Sequence, residues 1–128
     1  MVTKVSSAVT DSFKGKLAGY SEAVTTITVS TSTYNLDLSL GNVFDVTLNA
    51  SCTFSFTNTP SAGVLQPVTV ILRQGSGGNK TATFTNAKYT DGQVVPLSTG
   101  VGQVDVMSFF TVDGGSFWFG SFVMANVF

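Results

Sequence analysis

Hydrophobic and polar residues alternate along most of the chain after residue 23. Residues 24–29 are rich in β-branched side chains, and further runs place an apolar residue at every second position. These alternating runs are 34–40, 44–48, 52–56, 67–73 and 81–84. Because successive side chains of a strand point to opposite faces, a period of two predicts half-buried β-strands. Turn-forming Gly, Asn and Ser residues separate the runs, so the first three predict an antiparallel meander with one apolar face.

Residues 103–123 predict a β-hairpin that is apolar on both faces. Asp113-Gly114-Gly115 interrupts two apolar runs, and glycines allow the chain to reverse there. The side chains of one face should fill the core of the subunit. Those of the other face should be covered only when subunits meet, and we expect Met107, Phe109 or Trp118 among them. The candidate oligomer-interface residues are Met107, Phe109, Phe117, Trp118, Phe119 and Phe122.

The number and spacing of these runs predict an all-β fold. We expect a β-sandwich or jelly-roll-like single domain of eight or nine antiparallel strands over residues 24–128. Residues 1–23 are polar and lack a period of two, which predicts an N-terminal arm lying on a neighbouring subunit. The alternative for this segment is a flexible tail without regular structure. Residues 8–18 are also compatible with a short helix.

The composition narrows the function classes. Charged residues make up 10% of the 128 residues, against about 25% in soluble domains, which suggests a surface covered in an assembly. The net charge is −1 and the cations are scattered, so nucleic-acid binding is not expected. No apolar stretch is long enough for a signal peptide or a membrane span, so we expect no membrane partner and synthesis in the cytosol.

Catalytic and metal chemistry find little support in the residue types present. The chain has no His, and its one cysteine, Cys52, alternates with phenylalanines as a buried residue would. Asp37, Asp45 and Asp105 occupy polar positions of strands, where solvated carboxylates are ordinary, and Asp113 is a turn former. We therefore predict no catalytic residue, no cofactor and no metal.

Two further motifs have a structural and a functional interpretation. The glycine-rich stretch 75–81 superficially resembles a phosphate-binding loop, but its spacing is wrong and it predicts a β-hairpin turn. Trp118, Tyr20, Tyr34 and Tyr89 are the aromatic residues that could stack on a carbohydrate. For Trp118, within Phe117-Trp118-Phe119, a place in the core or an interface is favoured.

An ordered series of short motifs resembles a β-rich domain that recurs in tailed-phage virion proteins. The motifs fall at Leu36–Phe44, Phe54–Phe56, Val68–Gln74 and Phe109–Gly120, and the similarity covers residues 33–123. In fibre proteins such a domain ends a long chain, whereas here only the arm precedes it. The resemblance implies no catalytic residues.

The resemblance implies a role in the virion. A small protein of this kind looks like a capsid decoration, or cement, protein: a homotrimer that binds the major capsid protein on the outer capsid surface, after assembly in the host cytoplasm. The alternative is a tail or tail-fibre component, which includes an adhesin that binds host-surface glycan. An enzyme is the third and least favoured hypothesis.

Overall fold

The computed structural model describes residues 16, 18–94 and 96–127, and in these residues the chain forms nine β-strands. Their order is β1 (Val24–Val29), β2 (Thr33–Asp37), β3 (Val43–Leu48), β4 (Cys52–Thr57), β5 (Gln66–Gln74), β6 (Ala82–Phe84), β7 (Ala87–Lys88), β8 (Val104–Thr111) and β9 (Trp118–Val127). Two short 3-10 helices lie at Leu38–Leu40 and Thr90–Gly92. The prediction of an all-β fold is therefore confirmed.

The strands form two sheets, and the first six strands alternate between them. One sheet has the order β1-β3-β5-β8-β9-β7 and the other the order β2-β4-β6. Within each sheet the strands of this first part pair in parallel. This path is that of three coils of a parallel β-solenoid. The hairpin β8–β9 then joins the larger sheet, with β8 antiparallel to β5.

The predicted antiparallel pairing is wrong for the first six strands, and with it the meander and the jelly-roll connectivity. The turn-forming residues between consecutive strands make corners into the other sheet rather than reversals. At one corner the Asn49 amide donates to the Val29 carbonyl at 2.8 Å, and Asn49 Oδ1 accepts from the Ser76 amide at 3.0 Å. This corner is thus tied to the coils on both sides of it.

Residues 75–79 form another such corner instead of the predicted hairpin turn. The strands that they separate, β5 and β6, belong to different sheets. Gly75 is needed because a Cβ there would collide with Asn49 Oδ1 and lie 2.6 Å from the Leu48 carbonyl oxygen. The Gln74 side chain completes the corner, since it accepts from the Lys80 amide and donates to the Lys80 carbonyl.

A single hydrophobic core lies between the two sheets. Equivalent residues of successive coils stack in register, as in Ile27, Val46 and Leu72 of the larger sheet. In the smaller sheet Phe54 stacks on Phe84, with ring centroids 5.3 Å apart. The core residues of both sheets belong to one contiguous cluster, which the hairpin closes at one end.

The chain enters the body at β1 without regular structure. Lys16 and residues 18–23 are exposed, and the rest of the predicted arm, including most of the optional helix, lies outside the described residues. After the second 3-10 helix, Gln93, Val94, Pro96 and Leu97 have no regular secondary structure.

Candidate interaction surface

The turn between β8 and β9 orients the aromatic side chains that follow it. The buried Thr111 hydroxyl donates to Asp113 Oδ1 at 2.8 Å and accepts from the Gly115 amide at 3.1 Å. Asp113 Oδ1 also accepts from the Phe117 amide at 3.1 Å. The Thr111 hydrogen bond is the main cause that lowers the pKa of the Asp113 carboxyl. Gly114 and Gly115 both have positive φ, which lets the chain reverse tightly.

Met107, Phe109 and Trp118 point into the core of the subunit. Trp118 is 2% exposed, and its ring centroid lies 4.3 Å from that of Phe56 on the opposite sheet. Phe109 packs against Phe84 at 4.5 Å. We expected these three side chains to be covered only by a partner subunit. That expectation is wrong, because they lie on the face of the hairpin that packs against the smaller sheet.

Phe110 and Phe119 lie on the opposite, outer face of the hairpin. Their rings are stacked, with centroids 4.8 Å apart and planes 17° apart. Phe110 is 42% exposed and Phe119 is 45% exposed. The half-buried Phe117 packs edge-on against Phe119 at 4.7 Å. Phe117 and Phe119 are thus the predicted interface residues that share this surface, and Phe110 was missed although its parity was visible in the sequence.

The exposed pair belongs to a wider apolar surface, which we call the outer hairpin face. Its exposed members are Phe110, Val112, Phe119, Val123, Met124 and Val127. Strand register places them in rows, since Pro67, Phe110 and Phe119 are neighbours across three strands, as are Ile71, Val106 and Met124. Ser108 and Ser121 lie between these rows. The charged residues Lys88 and Arg73 border this face, since Lys88 is the register partner of Phe119 and Arg73 that of Val104.

The last predicted interface residue, Phe122, faces the other way. It pairs with Met107 across the hairpin and packs, half-buried, against the core. It also lines a cleft of about 410 Å³ beside Tyr89. Phe122 therefore does not belong to the outer hairpin face.

Tyr89 lines that cleft and also a second one, of about 270 Å³. Burial raises the pKa of the Tyr89 phenol, and its ring lies over Gly120, where a Cβ would come within 2.5 Å of Tyr89 Cε1. The other three aromatic residues proposed to stack on a carbohydrate do not join Tyr89 in one exposed surface. Trp118 is buried, and Tyr20 is exposed before β1. Tyr34 lies at the opposite edge of the smaller sheet, in β2. The four aromatics thus do not form one carbohydrate-binding platform.

Three of the four candidate carboxylates have structural partners at the surface. Asp45 accepts two hydrogen bonds from the Arg73 guanidinium, at 2.7 and 2.9 Å. Asp37 accepts from the Asn58 side chain and from the Ser39 amide, and these bonds lower the pKa of its carboxyl, Asn58 most strongly. Asp113 holds the hairpin turn.

Asp105 is different, because it is buried rather than solvated as expected. It is 1% exposed and accepts from the Ser98 amide and hydroxyl, both at 2.7 Å, and from the Asn126 amide at 3.0 Å. It shares the inward parity of Met107 and Phe109, which was the available indication of its burial. Asp105 ties the loop before β8 to the end of β9.

The described part of the chain shows neither a cluster of metal-ligating side chains nor a helix suited to span a membrane. No three His, Cys, Asp or Glu side chains lie close enough together there to hold a metal ion. Cys52 is buried, and its burial raises the pKa of the thiol. Among the described residues no helix has the length and apolar character needed to cross a membrane.

In comparisons with protein-family models, curated proteins and solved structures, no match to this chain was found.

Proposed function

We propose that the protein is a non-enzymatic structural protein that associates with itself through the outer hairpin face. The stacked and exposed pair Phe110–Phe119 is the observation that carries this proposal. Contiguous apolar surface rarely stays in contact with water on a soluble monomer, and it commonly marks an interaction site. The exposed apolar members of this face favour contact with an equally apolar surface, such as the same face of another copy, with Lys88 and Arg73 at its border.

The outer hairpin face has the composition of the centre of an interface. Aromatic side chains are enriched among the residues that dominate binding energy, and Phe110, Phe117 and Phe119 lie together. Their packing against each other fixes them before association, which lowers the entropy lost on binding. The number of subunits, three, comes from the resemblance to phage virion proteins and not from this surface.

The biological setting that we propose is the outer surface of a phage capsid. There the oligomer would act as a decoration protein that binds the major capsid protein and stabilises the shell. Two sheets packed on one core make a sandwich-like body that suits a purely mechanical role. Repetition of modest contacts around a shell would raise the overall affinity through multivalency.

One observation favours a tail or tail-fibre component as the second candidate. Among the described residues, β1 and β2 each have a neighbour on one side only, and their unpaired edges lie at the same end of the coil stack. Coils of a longer fibre could continue from such an end. In that setting the clefts beside Tyr89 are where an adhesin would bind host glycan.

Copy number in purified virions distinguishes the two candidates. A decoration protein should be present in many copies, in a fixed ratio to the major capsid protein, and should stay with heads that lack tails. A few copies per particle, lost with the tails, would instead support the tail component. Absence from virions would refute both settings.

A further inference from the structure

The first coil leaves two strand edges without a neighbour in the described structure. β1 pairs only with β3, and β2 pairs only with β4. At the other end of the stack β5 is covered by β8 of the hairpin. Both sheets therefore end in unpaired main-chain donors and acceptors at the same place, and such edges readily pair with another chain.

These edges lack the features that normally prevent pairing. Natural edge strands carry lysines, prolines or bulges. Between Val24 and Asp37 the sequence contains neither a proline nor a lysine, and its one charged residue is Asp37. That carboxylate is already held by Ser39 and Asn58. Val24 and Tyr34 add exposed apolar surface at the same end.

We propose that this end docks a second copy of the same chain, related by a two-fold axis, with β1 pairing antiparallel to β1 of the second copy. The two faces of β1 restrict the register. Residues 25, 27 and 29 face the core side, while Thr26 and Thr28 face outward. Continuous faces require that residues of equal parity lie opposite each other. Of the registers that meet this condition, we choose the one that places the apolar Ile27 opposite Ile27 of the second copy, which puts Thr26 opposite Thr28 of the second copy.

A second copy fits this end for three reasons. The strand is uncharged, so two identical edges meet without repulsion. The register pairs Thr26 with Thr28 outward, which are favourable cross-strand neighbours, and Ile27 with Ile27 inward. A single two-fold axis extends both sheets at once, because β1 and β2 lie at the same end. It would also cover the open side of Tyr34, where the column formed with Phe54 and Phe84 ends.

This contact is separate from the outer hairpin face. β3 and β5 lie between β1 and the hairpin in the larger sheet. The two surfaces can therefore be occupied at the same time, and disruption of one leaves the other intact. The inference does not rest on the proposed function.

Light scattering on four full-length proteins tests the proposal: the unchanged chain, Thr28→Lys, Phe119→Lys and the double variant. Thr28 is an exposed edge residue, so a lysine there blocks pairing without disturbing the core. We expect Thr28→Lys to halve the mass of the unchanged protein, Phe119→Lys to give a dimer, and the double variant to give a monomer. Thr53→Lys, on the exposed side of central strand β4, is the matched control and should leave the mass unchanged.

Each failure has its own outcome in this design. If Thr28→Lys leaves the mass unchanged, or if Phe119→Lys alone gives a monomer, the edge contact is refuted. If Phe119→Lys leaves the mass unchanged while Thr28→Lys halves it, the edge contact stands and the hairpin interface fails. If the edge contact forms only after residues 1–15 are removed, the chain's own N-terminal segment is the occupant and the proposal is overturned.

Cysteine cross-linking tests the register. In an oxidising buffer, a mixture of Thr26→Cys and Thr28→Cys proteins should form the mixed disulfide faster than either protein cross-links to itself. Directly opposite residues have Cβ atoms about 4.5–5.5 Å apart, and diagonal ones are farther apart. Faster cross-linking of either single variant to itself would contradict the pairing of Thr26 with Thr28.

Discussion

The rings of Phe110 and Phe119 stack 4.8 Å apart across β8 and β9, on the side of the hairpin that faces away from the core. An aromatic pair of this kind contributes about 0.5–1.5 kcal/mol beyond its buried area, so it stabilises the hairpin within one subunit. The same pair presents a fixed apolar surface to the outside. The hairpin therefore has two functions: its inner side completes the core, and its outer side is the proposed contact between subunits.

Adjacent residues of β8 should respond oppositely to truncation. Phe109→Ala removes a fully buried ring and should lower the free energy of unfolding by about 3–5 kcal/mol, measured by urea denaturation. Phe110→Ala, its neighbour on the exposed side, is the matched control and should cost less than about 1.5 kcal/mol in dilute protein. Equal losses for the two variants would contradict the assignment of inner and outer faces.

Fluorescence of the one tryptophan should be insensitive to association. Trp118 is buried within the subunit, so its emission should be blue-shifted and protected from acrylamide. Dilution from oligomer to monomer should leave both properties unchanged. A rise in quenching on dilution, with the far-ultraviolet circular dichroism constant, would show that Trp118 is covered by a partner subunit.

Replacement of the buried Asp105 should loosen the end of the hairpin. In Asp105→Asn one oxygen acceptor is lost, which leaves a Ser98 or Asn126 donor unsatisfied and should cost about 1–3 kcal/mol of stability. Asp91→Asn makes the same change at an exposed position and should be close to neutral. Hydrogen exchange should show the loss at the end of β9, and unchanged exchange there would refute the role of Asp105.

The hairpin turn should weaken in acid. The pKa of Asp113 is lower in the folded protein than in the unfolded chain, so its contribution to stability is complete above the unfolded pKa, at about pH 4, and is lost as the pH falls through the folded pKa. Carboxyl NMR titration should find Asp113 below its ordinary value. In Thr111→Val the main cause of the shift is absent, so the pKa should move back upward. An ordinary pKa for Asp113 in the unchanged protein would contradict this network.

The positions of the strands along the chain were largely predictable from the sequence, but the pairing of strands within the sheets was not. Alternation reports only that one face of a strand is buried. Short connections such as Asn49-Ala50-Ser51 are typical of hairpins, and nothing local distinguishes a reversal from a corner into another sheet. Coil lengths also differ, because Val43 lies closer in sequence to Val24 than to Thr69, its register partner on the other side. A constant repeat, which would have indicated a solenoid, is therefore missing.

The sequence showed that the hairpin has apolar residues on both faces, but it did not show which face turns toward the core. The set with Phe110 and Val112 was the more continuous apolar run, whereas the set with Met107 and Phe109 contains Asp105. A carboxylate normally marks the solvent-exposed face of a strand. Here the Ser98 and Asn126 donors satisfy it in the interior, and these contacts depend on a loop and a strand end that only the fold brings together.

The central claim is that the outer hairpin face holds subunits together, and the mass of Phe119→Lys in solution tests it most directly. An aromatic side chain that becomes buried at the centre of an interface is expected to contribute at least about 2 kcal/mol, which is roughly thirtyfold in the association constant. Light scattering over a dilution series should therefore show a smaller species for Phe119→Lys than for Thr53→Lys at the same concentration, with both proteins folded by circular dichroism. Identical masses at every concentration would contradict the claim.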